Sequence, residues 1–223
     1  MSYVFSDAQS KLSVLLSDSN TGTEDAFPLA IRKKELNRGE LQFAKESKCL
    51  VNYATGTVSS GQIALPSDWI ETFALVVNSQ LLTRDREISI MDYERFYNYA
   101  GSPPYYYYWV FSGTKYLKFF GNANTQTYLI WYFAKPTTEL SSDSDTSSLD
   151  EEDREGPVYY AAAELMQQAG KNAISDKYRA IYQKMVRDAQ KRMEERIRTQ
   201  IYANPDFNIV GASDNDVQGQ GWV

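Results

Sequence analysis

The sequence predicts an α+β fold: a helical bundle of N- and C-terminal helices, an inserted antiparallel β-sandwich and an extended C-terminal tail. Residues 6–46 and 157–202 carry apolar side chains at helical spacing. Residues 50–135 are instead rich in β-branched and aromatic side chains, which favour strands. Residues 203–223 have no helical period, so we expect them to be extended. The 223 residues suffice for one domain that carries a large insertion.

Residues 1–48 are the N-terminal helical part, in which we expect two helices. Ser6 and Gln9 have the spacing of a capping box, which predicts the start of the first helix. Pro28 suits the first turn of the second helix, because the N–H that proline lacks would have no partner there. Gly39 lies within this second helix, where glycine costs about 1 kcal/mol relative to alanine.

Residues 49–136 are the β-rich insertion. The run 128–133 is apolar on both faces, so it predicts a central strand of a sandwich. Residues 121–124, Gly-Asn-Ala-Asn, predict a hairpin loop between the last two strands. Residues 92–100 predict a short helix that interrupts the strands. The predicted strands are 51–58, 62–65, 73–78, 105–111, 115–120 and 125–133.

Residues 137–156, which we call the acidic segment, include a stretch, 141–156, whose formal charge equals that of the whole chain. From residue 141 to its end the segment holds seven acids and one base, Arg154, and the formal net charge of the chain is −6. Its Ser, Thr and Asp content buries too little apolar area to order the chain, so we expect a flexible linker. Asp143 and Asp145 have the first spacing of an EF-hand calcium loop, but the central glycine and the final glutamate are missing. We therefore predict no calcium site.

Residues 157–202 are the C-terminal helical part, which we expect to pack on the N-terminal helices. Pro157 suits the first position of a helix that Gly170 ends. Small and apolar residues form its packing face: Val158, Ala161, Ala162, Leu165, Met166 and Ala169. The following helix has an apolar stripe of Ile174, Tyr178, Ile181, Met185, Ala189, Ile197 and Ile201. That helix is basic, and the acidic segment could screen its charge.

The composition excludes several classes of function. The chain has no histidine, which removes the commonest general base and the usual zinc ligand. Its one cysteine, Cys49, cannot form an internal disulfide. We therefore predict a protein that is not an enzyme, with no catalytic, cofactor-binding or metal-binding residues. The acidic balance argues against sequence-specific nucleic-acid binding, and no apolar run predicts a membrane partner.

The run Tyr105–Trp109 is the densest aromatic stretch. In a strand, Tyr105, Tyr107 and Trp109 lie on one face. Tyrosine supplies a large contact area with a polar tip, so we predict that this face is a subunit interface. A platform for stacking sugars or bases is the alternative interpretation.

The residues after 202 combine a polar, glycine-containing spacer with apolar side chains at two places. Most disordered tails lack such apolar residues, so we expect this tail to bind a partner in an extended conformation. The predicted partner-binding residues are Phe207, Ile209, Val210, Trp222 and Val223.

The order of these elements resembles the head-to-tail adaptor (connector) proteins of tailed bacteriophages, especially the short-tailed type. Residues 63–69, Ile-Ala-Leu-Pro-Ser-Asp-Trp, resemble the opening of the β part of that family. Residues 101–106 resemble its strand entry, and residues 128–136 resemble its tyrosine-rich strand with a Lys-Pro exit. The alanine-rich run 159–169 is similar to the helix that follows, so the resemblance spans about 60–200.

The resemblance implies a structural virion protein without catalytic activity or cofactor. Such proteins form a ring, usually of twelve copies, that docks beneath the portal protein in the neck and extends the DNA channel. The ring offers a platform for the tail nozzle or fibre protein below, and assembly takes place in the host cytoplasm. The resemblance also implies that an extended C-terminal segment, here the five tail residues named above, grips the portal. A negative inner wall would let double-stranded DNA slide, since it would repel the phosphates.

Two other classes stay open at this stage. A carbohydrate-binding β-sandwich module would use the Tyr- and Trp-rich strands, but it leaves the apolar tail unexplained. A histidine-free hydrolase would need two converging carboxylates, and nothing in the sequence singles out such a pair.

Overall fold

The computed structural model describes residues 4–17, 27–84, 105–111, 113–119 and 125–203. The chain divides into two compact units. The helical unit comprises Met1–Val51 and Phe133–Ile197, and the sheet unit comprises Asn52–Tyr132 and Arg198–Val223. The described elements mix helices and strands, so the α+β class is confirmed.

Four α-helices are described. They are α1 (Phe5–Ser17), α2 (Leu29–Ser47), α3 (Gly156–Gln168) and α4 (Asn172–Ala203). The capping-box prediction is wrong, because α1 already includes Phe5 and the Val4 N–H donates to Asp7 Oδ2 at 2.9 Å. Pro157 stands second in α3, one position later than predicted. Gly170 follows α3 with a φ of +72°, a left-handed conformation that glycine adopts without strain.

The core of the helical unit contains the predicted faces of α3 and α4. Every predicted residue of the α3 face except Ala169 is buried, and Tyr178 and Ala189 of the α4 stripe are buried as well. The structure adds Tyr182, Val186 and Met193 to the buried face of α4. The largest completely buried side chains elsewhere in this unit include Phe5, Leu12, Leu16 and Phe43.

Gly39 lets α2 and α3 approach closely. A Cβ at this position would lie 2.6 Å from the carbonyl oxygen of Pro157, which belongs to the backbone of α3. A Cβ on Gly156 would likewise overlap the ring of Phe43. The glycine that weakens α2 as an isolated helix is therefore required by the packing of the two helices.

The sheet has seven described strands. They are β1 (Val51–Thr57), β2 (Gln62–Ala64), β3 (Trp69–Val77), β4 (Gln80–Arg84), β5 (Tyr105–Phe111), β6 (Thr114–Phe119) and β7 (Thr127–Ala134). Their hydrogen-bonded order is β1-β7-β3-β4-β5-β6-β2. The β4–β5 pair is parallel, whereas β2–β6, β3–β4 and β5–β6 are antiparallel. The two-layer arrangement of a sandwich stays a prediction, since the strands are joined in a single order.

The described strands differ from the predicted pattern at two places. β4 was not predicted. The prediction of a hairpin between the last two strands across 121–124 is wrong. β6 pairs with β5 and β2, whereas β7 lies between β1 and β3. The helix predicted at 92–100 lies outside the described residues.

Candidate assembly surfaces

The acidic segment is packed on the helical unit, so the expectation of a flexible linker at 137–156 needs correction. Its Leu149 is only 1% exposed and lies in a core cluster with Phe43 and Tyr182. Its backbone also caps α1, because Phe5 N–H donates to the Asp145 carbonyl at 2.8 Å. The buried Leu149 and this backbone bond order a stretch whose composition predicts exposure to solvent.

Two serines of the acidic segment donate hydrogen bonds to a buried carboxylate of α2. Glu40 of α2 is only 3% exposed. Its carboxylate accepts hydrogen bonds from Ser147 Oγ at 2.7 Å, Ser148 N–H at 3.1 Å and Ser148 Oγ at 3.2 Å. Asn37 of α2 exchanges two bonds with the backbone of Leu140, at 2.8 and 2.9 Å. The serines are thus the partners that a buried carboxylate requires.

A carboxylate also holds the first turn of the acidic segment together. Asp145 Oδ2 accepts the N–H groups of Ser141 at 2.7 Å and Ser142 at 2.8 Å. These two bonds favour the ionised carboxylate and lower the pKa of Asp145. The carboxylate of Asp145 therefore stabilises the backbone conformation of the acidic segment.

The acidic segment forms ion pairs with α4. Asp153, which is buried, pairs with Arg192, whose Nε also lies 3.2 Å from Glu152 Oε2. Asp150 Oδ2 lies 2.6 Å from Arg196 Nη1. Burial raises the pKa of Asp153, and Arg192 opposes that shift. The predicted screening of the basic helix therefore occurs at Arg192 and Arg196.

The exposed face of α4 keeps other bases. Lys177, Lys184, Arg187 and Lys191 are exposed, and no described acid forms an ion pair with them. The three lysines are spaced seven residues apart, so they lie along one side of the helix. This basic face is available to an acidic or phosphate-bearing partner.

Three neighbouring strands of the sheet unit carry an aromatic cluster. The ring centroids of Tyr53 on β1 and Trp131 on β7 are 5.4 Å apart, and that of Phe73 on β3 lies 6.5 Å from Trp131. Tyr53 is 60% exposed. Sequence reasoning missed this cluster, because it followed the density of aromatic residues along the chain and not their alignment across strands.

Two motifs of the sequence resemblance meet in one hydrogen-bonded group of the sheet unit. Tyr132 Oη donates to Asp68 Oδ1 at 3.1 Å, and Asn52 Nδ2 donates to Asp68 Oδ2 at 3.2 Å. Asp68 belongs to the Leu-Pro-Ser-Asp-Trp stretch and Tyr132 to the tyrosine-rich strand. Burial, with the charge of Asp68, raises the pKa of Tyr132 to about 12.

The predicted interface residues Tyr105, Tyr107 and Trp109 lie on β5. Opposite them, Tyr107 is paired with Lys118 and Trp109 with Tyr116 of β6. β5 is also bonded to β4, at Tyr105 and Tyr106, so part of its second backbone edge is used within the sheet. The predicted partner-binding residues Phe207, Ile209, Val210, Trp222 and Val223 lie outside the described residues.

Among the described residues, no three Cys, Asp or Glu side chains are grouped to hold a metal ion. Cys49 is buried, and this burial raises the pKa of its thiol to about 11. None of the described helices is long and apolar enough to span a membrane.

Comparison with known proteins adds one match. The family model of the SU10 adaptor protein matches residues 5–206, from the start of α1 to just beyond α4. The match ends before the first of the five predicted partner-binding residues. No curated protein matches the chain.

Proposed function

The chain belongs to the SU10 adaptor protein family, and on this premise we propose that it is the head-to-tail adaptor of a tailed phage of the short-tailed type. A family match that includes both described units carries the proposal. In this role the protein is structural, has no enzymatic activity and needs no cofactor or metal.

Copies of the chain assemble into a ring of twelve in the virion neck. Tyr105, Tyr107 and Trp109 contribute the aromatic part of the contact between neighbouring copies. Since β5 is bonded to β6 over residues 106–111 and to β4 at Tyr105 and Tyr106, we assign this contact to the side chains, which leaves the sheet intact. The ring assembles in the host cytoplasm.

The C-terminal tail grips the portal ring. Phe207, Ile209 and Val210 form one apolar cluster, and Trp222 and Val223 form a second one beyond a polar spacer. Apolar anchors of this kind are typical hot spots, worth roughly 2–4 kcal/mol each. Repeated around a ring, even weak tails give an avidity far above the affinity of one site.

The ring extends the DNA channel, through which double-stranded DNA passes without sequence-specific binding, and it carries the tail nozzle or fibre protein below. The acidic segment has a packing role in this arrangement. Asp143, Asp150 and Asp153 are paired with Lys33, Arg196 and Arg192. These pairs leave less free negative charge for a channel wall than the composition alone suggests.

Negative-stain electron microscopy of the protein, alone and mixed with portal rings, tests this function. We expect ring-shaped particles docked on one face of the portal. A monomer by light scattering that leaves portal rings bare but binds an immobilised glycan array would contradict the proposal and favour the carbohydrate-binding module.

A further inference from the structure

The outer edge of β1 has no strand partner among the described residues. β1 ends the hydrogen-bonded order and is bonded only to β7. Ala134 N–H donates to the Leu50 carbonyl at 2.8 Å, and Val58 N–H donates to the Gln126 carbonyl at 2.9 Å. These bonds lie equally far apart along both strands, so the ladder between them has no bulge. The backbone N–H and C=O groups of the even-numbered residues of β1 therefore point toward β7.

The odd-numbered residues of β1 direct their N–H and C=O groups away from β7. They are Val51, Tyr53, Thr55 and Thr57. The N–H of Tyr53 donates to Asn52 Oδ1 at 2.9 Å, a local bond that does not need a neighbouring strand. Tyr53, Thr55 and Thr57 are exposed. Among the described residues, no strand therefore pairs with the outward N–H groups of Val51, Thr55 and Thr57.

This edge lacks the usual protection against strand addition. Natural sheets protect their edges with charged residues, proline or very short strands. β2, at the opposite end of the strand order, has three residues and is soon followed by Pro66. β1 has seven residues, none of them charged and none proline. An edge of this length and composition is suited to receive another strand.

We propose that residues Phe207–Ala212 of the C-terminal tail add to the outer edge of β1 in the free subunit. This stretch is uncharged and lies between Asp206 and Asp214, and it contains Phe, Ile and Val, which favour strands. It is long enough to pair with most of β1. The chain enters the sheet unit at Arg198, so the tail starts in the unit that holds β1.

The side chains of the two strands are compatible. In an added strand, Phe207 and Ile209 lie on one face. On β1, Tyr53 is the exposed end of the aromatic cluster with Trp131. A directly opposite pair brings Cβ atoms to about 5 Å, so Phe207 or Ile209 covers Tyr53. The pairing would remove both the outer edge of β1 and the apolar side chains of the tail from solvent.

This pairing concerns the subunit before assembly and does not depend on the portal being the tail's final partner. On docking, the tail leaves the edge of β1 and binds its final partner. In the free subunit, the paired tail prevents aggregation through the open edge.

Amide hydrogen exchange by NMR tests the proposal on the full chain and on a chain ending at residue 203. We expect the outward amides of Val51, Thr55 and Thr57 to exchange at least tenfold more slowly in the full chain. The amides of Ala54 and Gly56, which face β7, are the internal control and should exchange equally in both chains. Equal exchange of the outward amides in the two chains would overturn the proposal.

A pair of substitutions at Thr55 sharpens the test. Thr55→Pro removes an outward N–H without removing a bond to β7, so it should abolish the protection of Val51 and Thr57 in the full chain. Thr55→Ala should preserve it. Should Thr55→Pro not fold, Phe207→Asp on the tail should give the same loss. Protection that persists in the shortened chain, or appears only at high protein concentration, would assign the edge to a second copy and overturn the proposal.

Discussion

Leu149→Ala measures how firmly the acidic segment is attached to the helical unit. Leu149 is 1% exposed and contacts a cluster that includes Phe43, Tyr182 and Val186. Removing three buried carbons and leaving a cavity costs about 3 kcal/mol in a core of this kind. A flexible linker would lose almost nothing. The losses of unfolding free energy that the packed and the flexible segment predict therefore differ by more than the error of an unfolding experiment.

Cys49 provides the assay, because it is the only cysteine and lies in the same cluster as Leu149. Burial raises the pKa of its thiol to about 11, so the folded protein reacts slowly with a maleimide or a disulfide reagent at pH 8. When the cluster closes faster than the reagent reacts, the labelling rate follows the open population. A loss of about 3 kcal/mol then speeds labelling roughly a hundredfold.

Leu29→Ala is the matched control, since Leu29 is 49% exposed on α2 of the same unit. We expect this variant to label Cys49 at the rate of the unmodified protein and to change the free energy of unfolding by less than about 0.5 kcal/mol. If Leu149→Ala behaves like Leu29→Ala, the acidic segment is not part of the core and the reasoning is refuted.

Two further predictions concern packing and pH. Gly39→Ala should lower the unfolding free energy by about 1–3 kcal/mol in urea titrations, because the overlap with Pro157 outweighs the helix propensity of alanine. Lys34→Ala, at an exposed position of α2, is its control, and a stabilised Gly39→Ala would refute the close crossing. Tyr132 ionises near pH 12 in the folded protein and near its ordinary pKa of 10 when unfolded. The contribution of neutral Tyr132 to the free energy of unfolding is therefore complete below pH 10 and is lost as the pH rises to about 12. Tyr132→Phe should reduce this alkaline loss in the tryptophan-detected unfolding midpoint, and an unchanged pH profile would exclude the ionisation of the buried Tyr132 hydroxyl as its cause.

Helix faces were largely predictable from the sequence, because the residues that bury a helix recur at a fixed spacing. The face of α3 was predicted almost completely. On α4 the predicted stripe followed one narrow line and omitted Tyr182, Val186 and Met193, which widen the buried face. A helix packed against several elements buries a broader arc than one stripe describes.

The acidic segment was misjudged because its partners are distant in the sequence. Asp153 and Arg192 are 39 positions apart, and Asp150 and Arg196 are 46 positions apart. Composition counts the acids but does not show whether a base faces each of them. Leu149, one apolar residue among many polar ones, was the available signal.

Strand pairing was the least predictable part of the fold. The turn residues at 121–124 predicted a hairpin, but local turn signals do not specify that β6 pairs with β5 and β2. Gly39 shows the same limit in a helix. Its cost to α2 can be estimated locally, whereas its requirement comes from Pro157 on another helix.

Co-sedimentation with purified portal rings tests the central claim, that this adaptor docks on the portal through its tail. The full chain and a chain ending at residue 203 are compared, with slow Cys49 labelling confirming that the shortened chain is folded. We predict that the full chain co-sediments as a docked ring, that Trp222→Ala weakens binding, and that the folded shortened chain stays in the supernatant. Full co-sedimentation of the shortened chain would contradict the tail as the anchor, and failure of the intact chain to bind would contradict docking on the portal itself.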